Sequence, residues 1–214
     1  MGSLAQLVWK ILWEYSDGSI FQSKVTDFSI KVQDDGSTTW KDCLFDKKHN
    51  LYLYLYKSLS ASNTKLPILY FFLDGGFCLG SRTWPNCHNC CLRLSSALPT
   101  FIISPDYRLA PEHCLPATMD NALSAVKWLQ IQALSNSLDP WLSDEVDFDR
   151  VFIMGDSSGG NLAHHLAVKH RPGSLELSPA RDTKEKTTDQ LEDHNPVPSN
   201  RIMDSGTLPL QSKS

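Results

Sequence analysis

A short apolar run leads directly into a glycine-rich turn near residue 155, and this junction constrains the fold more than any other part of the chain. Residues 149–155 read DRVFIMG and are followed by DSSGG. Beyond the turn, apolar and small residues recur at helical spacing, at Gly159, Leu162, Ala163, Leu166 and Ala167. A buried strand that turns at once into an amphipathic helix is typical of a sheet covered by helices.

Four further segments extend this pattern. Apolar runs at 66–73 and 100–107, like the run at 149–155, predict strands buried on both faces, as parallel sheets require. Residues 50–57 alternate leucine and tyrosine, which predicts a strand with two different faces. Residues 117–134 have the apolar spacing of an amphipathic helix. The sequence therefore predicts an α/β fold with a mostly parallel sheet and helices on both faces.

The N-terminal part is less regular. Apolar residues at helical spacing over 4–15 predict a short amphipathic helix, and FSIKV at 28–32, between turn signals at 16–19 and 34–37, predicts a strand. The first residues lack the basic region of a secretory signal peptide, and no apolar run approaches the length of a membrane span.

Charge and cysteine content narrow the partners. The net charge is −4 and no long basic run occurs, which argues against nucleic acid as a partner. Without a secretion signal, the six cysteines are expected to be free thiols in a reducing compartment, and we expect a cytoplasmic location. Cys87 and Cys90 form one Cys-x-x-Cys pair, but no second pair has that spacing, so no metal site is expected.

The turn itself has the pattern of a nucleophile elbow. Gly155 and Gly159 lie two positions on either side of Ser157, as the tight turn requires, and Ser158 has no glycine at the equivalent position before it. A serine at a helix N-terminus also places developing negative charge near backbone N–H groups. The alternative is a plain glycine-rich turn without a catalytic role.

A second glycine-rich segment, FFLDGGFCLGS at 71–81, follows the strand predicted at 66–73. Its glycines allow backbone N–H groups to face an oxyanion, and the N–H groups of Gly75, Gly76 and Ser158 are the natural donors. Taken alone, a Gly-Gly loop is equally compatible with a simple turn.

Three segments together, LDGGFCLGS, SPDYRLAPEHCLPA and GDSSGGNLAHH, resemble the plant carboxylesterase family. This family belongs to the hormone-sensitive-lipase-like branch of the α/β hydrolases, which also includes the gibberellin receptors. The resemblance runs from about residue 8 to Arg181. It implies a serine esterase that acts on small hydrophobic esters through an acyl-enzyme without a cofactor.

The resemblance also assigns roles to residues. Ser157 is implied as the nucleophile, with Gly75, Gly76 and Ser158 supplying the oxyanion hole. We interpret Asp106 to His113 (DYRLAPEH) as a structural segment that braces the oxyanion loop. The family usually has His-Gly-Gly-Gly where this chain has Leu73-Asp74-Gly75-Gly76. A carboxylate at Asp74 opposes a nearby oxyanion, so we expect a weakened hole unless Asp74 turns towards solvent.

A second departure follows Arg181. Residues 182–214 lack aromatic residues and scatter prolines and charges without a period, which predicts a disordered polar tail. We therefore expect a partial α/β-hydrolase domain at 1–181 that lacks its C-terminal strands, in an apparently truncated chain. The family places its acid and histidine after later strands. His194 in the tail is not held by a rigid element, so we expect a catalytically incomplete chain.

Three hypotheses remain open. In the first hypothesis the chain is a working carboxylesterase. In the second it is a non-catalytic protein that binds a small hormone-like molecule. In the third it is a truncated product with no activity of its own. We favour the third for this polypeptide and keep esterase as the family function. The sequence does not indicate the oligomeric state.

Overall fold

The computed structural model describes residues 12–18, 20–22, 30–60, 64–135, 139–143 and 145–169. A short hairpin comes first, formed by antiparallel strands β1 (Leu12–Glu14) and β2 (Ile20–Gln22). Five strands then form the main sheet of the described part: β3 (Thr38–Asp46), β4 (Leu51–Ser58), β5 (Leu66–Phe72), β6 (Phe101–Pro105) and β7 (Val146–Gly155). Their order is β3-β4-β6-β5-β7. The two β4 pairings are antiparallel, whereas β6, β5 and β7 run parallel.

Three helices connect the parallel strands: α1 (Pro85–Ala97), α2 (Ala117–Leu134) and the single turn α3 (Pro140–Ser143). Helix α4 (Ser158–Lys169) follows β7. The connection from β5 through α1 to β6 runs in one direction across the sheet, and the connection from β6 through α2 to β7 runs in the other. Because such crossovers are right-handed, α1 and α2 cover opposite faces. Helix α4 contacts α2 as well as β5 and β7, so it lies on the α2 face. The α/β fold predicted from the sequence is confirmed.

The core lies in the middle of this sheet. Every residue of β6 is buried, and Ile68, Tyr70 and Phe72 of β5 have no exposed surface, so the prediction of strands buried on both faces is confirmed here. The buried tyrosine hydroxyl of β5 is satisfied, because Tyr70 Oη donates to the carbonyl oxygen of Ala125 in α2 (2.8 Å). This bond ties the central strand to the α2 layer.

Two predictions for the N-terminal part are wrong. Within the predicted helix at 4–15, Leu12–Glu14 forms β1, because a turn in which Gly18 N–H donates to Tyr15 O (2.9 Å) folds the chain back; residues 4–11 lie outside the described residues. Within the predicted strand at 28–32, residues 30–32 join no ladder. The backbone here bonds the side chain of Asn89 on α1 instead. Asn89 Nδ2 donates to Lys31 O (2.9 Å), and Gln33 N–H donates to Asn89 Oδ1 (2.7 Å).

Strand β7 differs from the prediction on one face. Phe152 is 56% exposed and Met154 is 38% exposed, so β7 is not buried on both faces. Among the described residues β7 pairs only with β5, and nothing covers the face on which Phe152 and Met154 lie. The described residues all belong to the segment 1–181, and the predicted tail at 182–214 lies outside them. No helix in the described ranges is both long and apolar enough to span a membrane.

Candidate active site

The candidate site lies where the connections of two neighbouring parallel strands diverge. The chain leaves β5 towards α1 on one face of the sheet, and it leaves the adjacent β7 directly into α4 on the other face. In open α/β sheets a crevice forms outside the carboxyl ends of two strands related in this way, and ligands bind there. The segment 73–81 follows β5 and the turn 156–157 follows β7, so both lie at these carboxyl ends.

Ser157 is held in a strained conformation at this position. Its φ is +50°, in the left-handed region that residues other than glycine rarely adopt, and its side chain is exposed. The turn around Ser157 is tight, because Gly159 N–H donates to Asp156 O (2.7 Å) and Asn161 N–H donates to Ser157 O (3.1 Å). The turn is also tied to the neighbouring strand, since Asp156 N–H donates to Phe72 O (3.3 Å).

Glycine is required on both sides of the serine. A Cβ on Gly155 would lie 2.3 Å from the carbonyl carbon and oxygen of Gly159. A Cβ on Gly159 would lie 2.1 Å from Phe72 O and 2.7 Å from Leu73 O. The elbow therefore packs by direct backbone contact against the end of β5, which is where the glycine-rich segment begins.

Three backbone N–H groups near this junction have no acceptor within the described part of the chain. Ser158 is the first residue of α4, so its N–H has no partner in the helix. Gly75 and Gly76 both have positive φ, and no hydrogen bond from either N–H occurs among the described residues. The loop turns back on itself through the carbonyl of Gly75, which accepts from the N–H groups of Cys78 (3.1 Å) and Leu79 (3.0 Å).

The segment that begins at Asp106 holds this loop at its start, middle and end. The three bonds run from Tyr107 Oη to Leu73 O (2.8 Å), from Ala110 N–H to Phe77 O (2.8 Å) and from Arg82 N–H to Asp106 Oδ1 (2.7 Å). These contacts confirm the bracing role predicted for the segment, although its later residues Glu112 and His113 are exposed.

Arg82 completes the bracing, and the sequence analysis missed it. Its guanidinium donates to the carboxylates of Asp106 and Asp42, the latter at 2.6 Å, and lies 4.7 Å from the ring centre of Tyr54. Burial raises the pKa of Asp106, and the Arg82 guanidinium opposes that shift. The signal available in the sequence was a single arginine directly after the glycine-rich loop.

Asp74 is the least favourable member of the site. It is half-buried, and burial together with the carboxylate of Asp156 raises its pKa. Asn86 Nδ2 on α1 donates to Asp74 Oδ1 over 3.5 Å. The Asp74 side chain has therefore not turned fully into solvent. The nearby carboxylate of Asp156 makes the charged form of Asp74 less favourable.

No described histidine accompanies Ser157. Within the described ranges no side chain forms a hydrogen bond with Ser157 Oγ. On α4, His164 is exposed and His165 is half-buried, while His88 of α1 bonds Tyr56 Oη (2.8 Å) in the core, where burial lowers its pKa. His194 lies outside the described residues. The structure thus brings the elbow next to the glycine-rich loop, without a base from the described chain.

Side chains that bind metals do not converge in the part of the chain the structure describes, where no group of three His, Cys, Asp or Glu residues could hold an ion. The six cysteines form no disulfide bonds. Five of them are buried or partly buried: three on α1, one on β3 and one in the glycine-rich loop. Cys114 is exposed.

Known proteins resemble this chain in sequence. A family model described as the alpha/beta hydrolase fold matches residues 69–206, and this range continues past Arg181. "Probable carboxylesterase 8" of Arabidopsis thaliana is 37% identical over 171 residues, which cover 78% of this chain and 50% of the relative. "3-O-acetylpapaveroxine carboxylesterase CXE2" of Papaver somniferum is 42% identical over 110 residues, covering 50% of this chain and 35% of the relative.

Solved esterase structures resemble it in fold. The thermophilic carboxylesterase EstE1, cloned from a metagenomic library, has a TM-score of 0.54 and 30% identity, covering 65% of this chain and 44% of that one. An esterase of Pyrobaculum calidifontis has a TM-score of 0.53 and 29% identity, covering 65% of this chain and 42% of that one. The chain spans at most about half the length of the curated relatives it matches.

Proposed function

Because the chain belongs to the α/β hydrolase fold family, we propose that a protein built on this domain hydrolyses carboxylic esters with Ser157 as its nucleophile. The observation that carries the proposal is the conformation of Ser157. An exposed serine with a φ of +50°, directly before the first turn of α4, is held at a cost in strain that a plain turn does not need. The carboxylesterase names of the relatives support the same reaction class.

In the proposed reaction, Ser157 Oγ attacks the carbonyl carbon of the ester and its proton passes to a base. The N–H groups of Gly75, Gly76 and Ser158 stabilise the negative charge that develops on the carbonyl oxygen. The tetrahedral intermediate then expels the alcohol and leaves an acyl group on Ser157, which water removes as the carboxylic acid. No cofactor takes part in these steps.

The proposed reaction needs a base to accept the proton of Ser157. The rate that is lost without this base determines the turnover that we expect. Loss of a catalytic histidine typically lowers turnover by about 10⁶-fold. An oxyanion hole and binding alone retain roughly 10³- to 10⁴-fold acceleration over water. Since no described side chain is bonded to Ser157 Oγ, we propose that the described part of the chain is catalytically incomplete by itself and turns over slowly.

The proposed substrate is a small hydrophobic ester, and the proposed location is the cytoplasm. One relative is named for 3-O-acetylpapaveroxine, which supports an ester of a small organic molecule. The absence of disulfide bonds among the six cysteines suits a reducing compartment. Two tulip relatives are named as chloroplastic, so fractionation of plant cells that express the tagged chain is the direct test of location.

The reaction is tested by hydrolysis of p-nitrophenyl acetate, measured for the wild-type chain and for Ser157→Ala with added imidazole as a diffusible base. Imidazole also cleaves this ester unaided, so the Ser157→Ala rate is the background. We expect a wild-type rate above that background, with a difference that grows with imidazole. Equal rates for both proteins at every imidazole concentration contradict Ser157 as nucleophile.

A second candidate function is non-catalytic binding of a small hydrophobic molecule, and Asp74 favours it. A half-buried carboxylate in the loop that carries Gly75 and Gly76 disfavours an oxyanion there, but it does not disfavour a neutral ligand or a hydrogen-bond donor. Calorimetry with hydrophobic acids and esters separates the two functions. Binding that is unchanged in Ser157→Ala, without any hydrolysis, supports the binding protein.

A further inference from the structure

A cavity of about 460 Å³ lies between the turn that joins β3 to β4 and one face of α2. Its volume is within the range of small-molecule sites, roughly 300–1,000 Å³. No residue of the segment 73–81 or of the elbow lines it, so it is separate from the candidate active site. The proposed reaction makes no use of this part of the fold.

One part of the cavity lining is apolar. Trp128 of α2 is buried in the core, and the half-buried Phe45 at the end of β3 packs against the same core. Ile131 follows Trp128 at a spacing of three residues, which places both side chains on one face of the helix. Ile131 is nevertheless 64% exposed. An apolar surface anchored in the core is therefore left open to solvent at this cavity.

The rest of the lining carries an excess of positive charge. Lys47 and Lys48 lie on the turn and Lys127 lies on α2, and none of the three forms an ion pair in the described part of the chain. By contrast, Lys41 and Lys57 are each paired with a carboxylate. The chain as a whole has a net charge of −4, so this concentration of lysines runs against its composition.

The one carboxylate of the lining already has partners within the turn. Asp46 Oδ1 accepts from His49 N–H (3.1 Å), and Asp46 Oδ2 lies 2.7 Å from His49 Nδ1. Burial acts to raise the pKa of Asp46, but the bonds with His49 outweigh it and the pKa lies below its ordinary value. These bonds close the turn that carries Lys47 and Lys48. They leave the three lysines in excess over the single charged carboxylate.

We propose that this cavity binds a small organic anion, with its apolar body against Trp128 and Ile131 and its charged oxygens facing the three lysines. Lysine ammonium groups act as point charges towards such oxygens. Each exposed charge pair contributes only about twofold to fivefold in affinity, so the apolar body is needed as well. The inference goes beyond ester hydrolysis and does not depend on Ser157.

Three probes separate the charge from the apolar body. Naphthoate carries both, naphthamide keeps the rings without the charge, and acetate keeps the carboxylate without the rings. Isothermal titration calorimetry of the intact chain at low ionic strength measures their binding. We expect naphthoate to bind at least about threefold more tightly than either of the others. Most of its advantage over naphthamide should disappear at about 0.5 M sodium chloride, because salt screens exposed charges.

Matched variants locate the binding. Ile131→Glu changes a residue of the cavity, whereas Leu134→Glu makes the same change at a position that is 62% exposed and does not line it. Because both side chains are largely exposed, neither change removes core packing. We expect Ile131→Glu to weaken naphthoate binding at least about fivefold and Leu134→Glu to leave it within about twofold. Lys127→Gln should weaken it about twofold to fivefold, whereas Lys65→Gln, outside the cavity, should not.

Other results overturn the inference. Equal affinity for naphthoate and naphthamide, or equal weakening by the two glutamate variants, shows that the anion does not bind in this cavity. Naphthoate should bind Ser157→Ala as tightly as it binds the wild-type chain. Loss of binding in that variant places the anion at the elbow instead. Hydrolysis of p-nitrophenyl acetate by the same preparations tests the proposed function separately, so either proposal can fail without the other.

Discussion

Replacing Gly159 with alanine puts a methyl group where the structure has backbone atoms. The new Cβ would lie 2.1 Å from Phe72 O and 2.7 Å from both Leu73 O and the Phe72 carbonyl carbon. Normal carbon–oxygen contact distances exceed 3 Å, so α4 and the end of β5 must separate by about 1 Å. Neither side moves freely, because Phe72 O accepts from Asp156 N–H and Leu73 O accepts from Tyr107 Oη.

The cost of this separation is at the upper end of the range for overpacking. Such substitutions typically cost 1–3 kcal/mol, so we expect Gly159→Ala to lower the free energy of unfolding by about 3 kcal/mol. With a urea dependence of about 1–3 kcal/mol per M for a small domain, the urea midpoint falls by roughly 1–3 M. Circular dichroism at increasing urea concentration measures this shift.

Gly160→Ala is the matched control, one position further along the same helix. Its Cβ would lie 3.3 Å from Gly155 O, a tight contact that a shift of a few tenths of an ångström relieves. Alanine also gains up to about 1 kcal/mol of helix propensity over glycine. We expect Gly160→Ala to unfold within about 0.5 kcal/mol of wild type. Equal midpoints for Gly159→Ala and Gly160→Ala refute the backbone contact between elbow and β5.

Two further substitutions test the surroundings of the oxyanion loop. Tyr107→Phe removes the bond to Leu73 O and leaves that buried carbonyl unpaired, so we expect a loss of about 1–3 kcal/mol in urea unfolding. Tyr70→Phe is the control, because it removes an equally short, buried bond to a carbonyl far from the loop. It should lower the free energy of unfolding by a similar amount. Only Tyr107→Phe should also lower the hydrolysis that depends on Ser157. For Asp74, burial and the carboxylate of Asp156 raise the pKa above its ordinary value of 3.8, so the native state binds the proton more tightly than the unfolded chain. The stability contributed by that proton is present at low pH and lost as the pH rises through the raised pKa. Asp74→Asn should therefore melt at a higher temperature than wild type at pH 8, by less than about 1 kcal/mol in stability, with a smaller difference at pH 4. A difference that grows on acidification contradicts this assignment.

The central strands could be predicted because their burial leaves a strong pattern in the sequence. The apolar runs of β5 and β6 and the alternating leucines and tyrosines of β4 correspond to strands within a few residues of the predicted bounds. The N-terminal segment could not be predicted in this way. Over three residues of β1 a helical period and a strand period are indistinguishable, and the turn closed by Gly18 N–H decides the outcome.

Other features of the site could not be predicted, because they depend on contacts between residues far apart in the chain. The spacing of Gly155 and Gly159 predicts the turn around Ser157, because Gly155 packs against the backbone of Gly159 within the same turn. The contact of Gly159 with Phe72 O joins residues far apart in the sequence and could not be predicted. The role of Arg82 depends on Asp42, 40 residues earlier on β3, and no local period encodes that pairing. The exposed face of β7 also differs from the prediction, since an apolar run reveals its hydrophobicity but not which neighbours cover it.

Site-resolved labelling with an organophosphorus fluoride, with imidazole present as the diffusible base, tests the central claim most directly. The reagent phosphylates a serine oxygen that can act as a nucleophile and expels fluoride, and mass spectrometry of the digested chain locates the adduct. We predict one dominant adduct, on Ser157, because this residue is exposed and directly precedes Ser158, whose N–H has no acceptor among the described residues. Labelling should be lost in Ser157→Ala and should not shift to the buried Ser158. Adducts spread over exposed serines in proportion to their accessibility, or unchanged labelling in Ser157→Ala, contradict a nucleophilic Ser157.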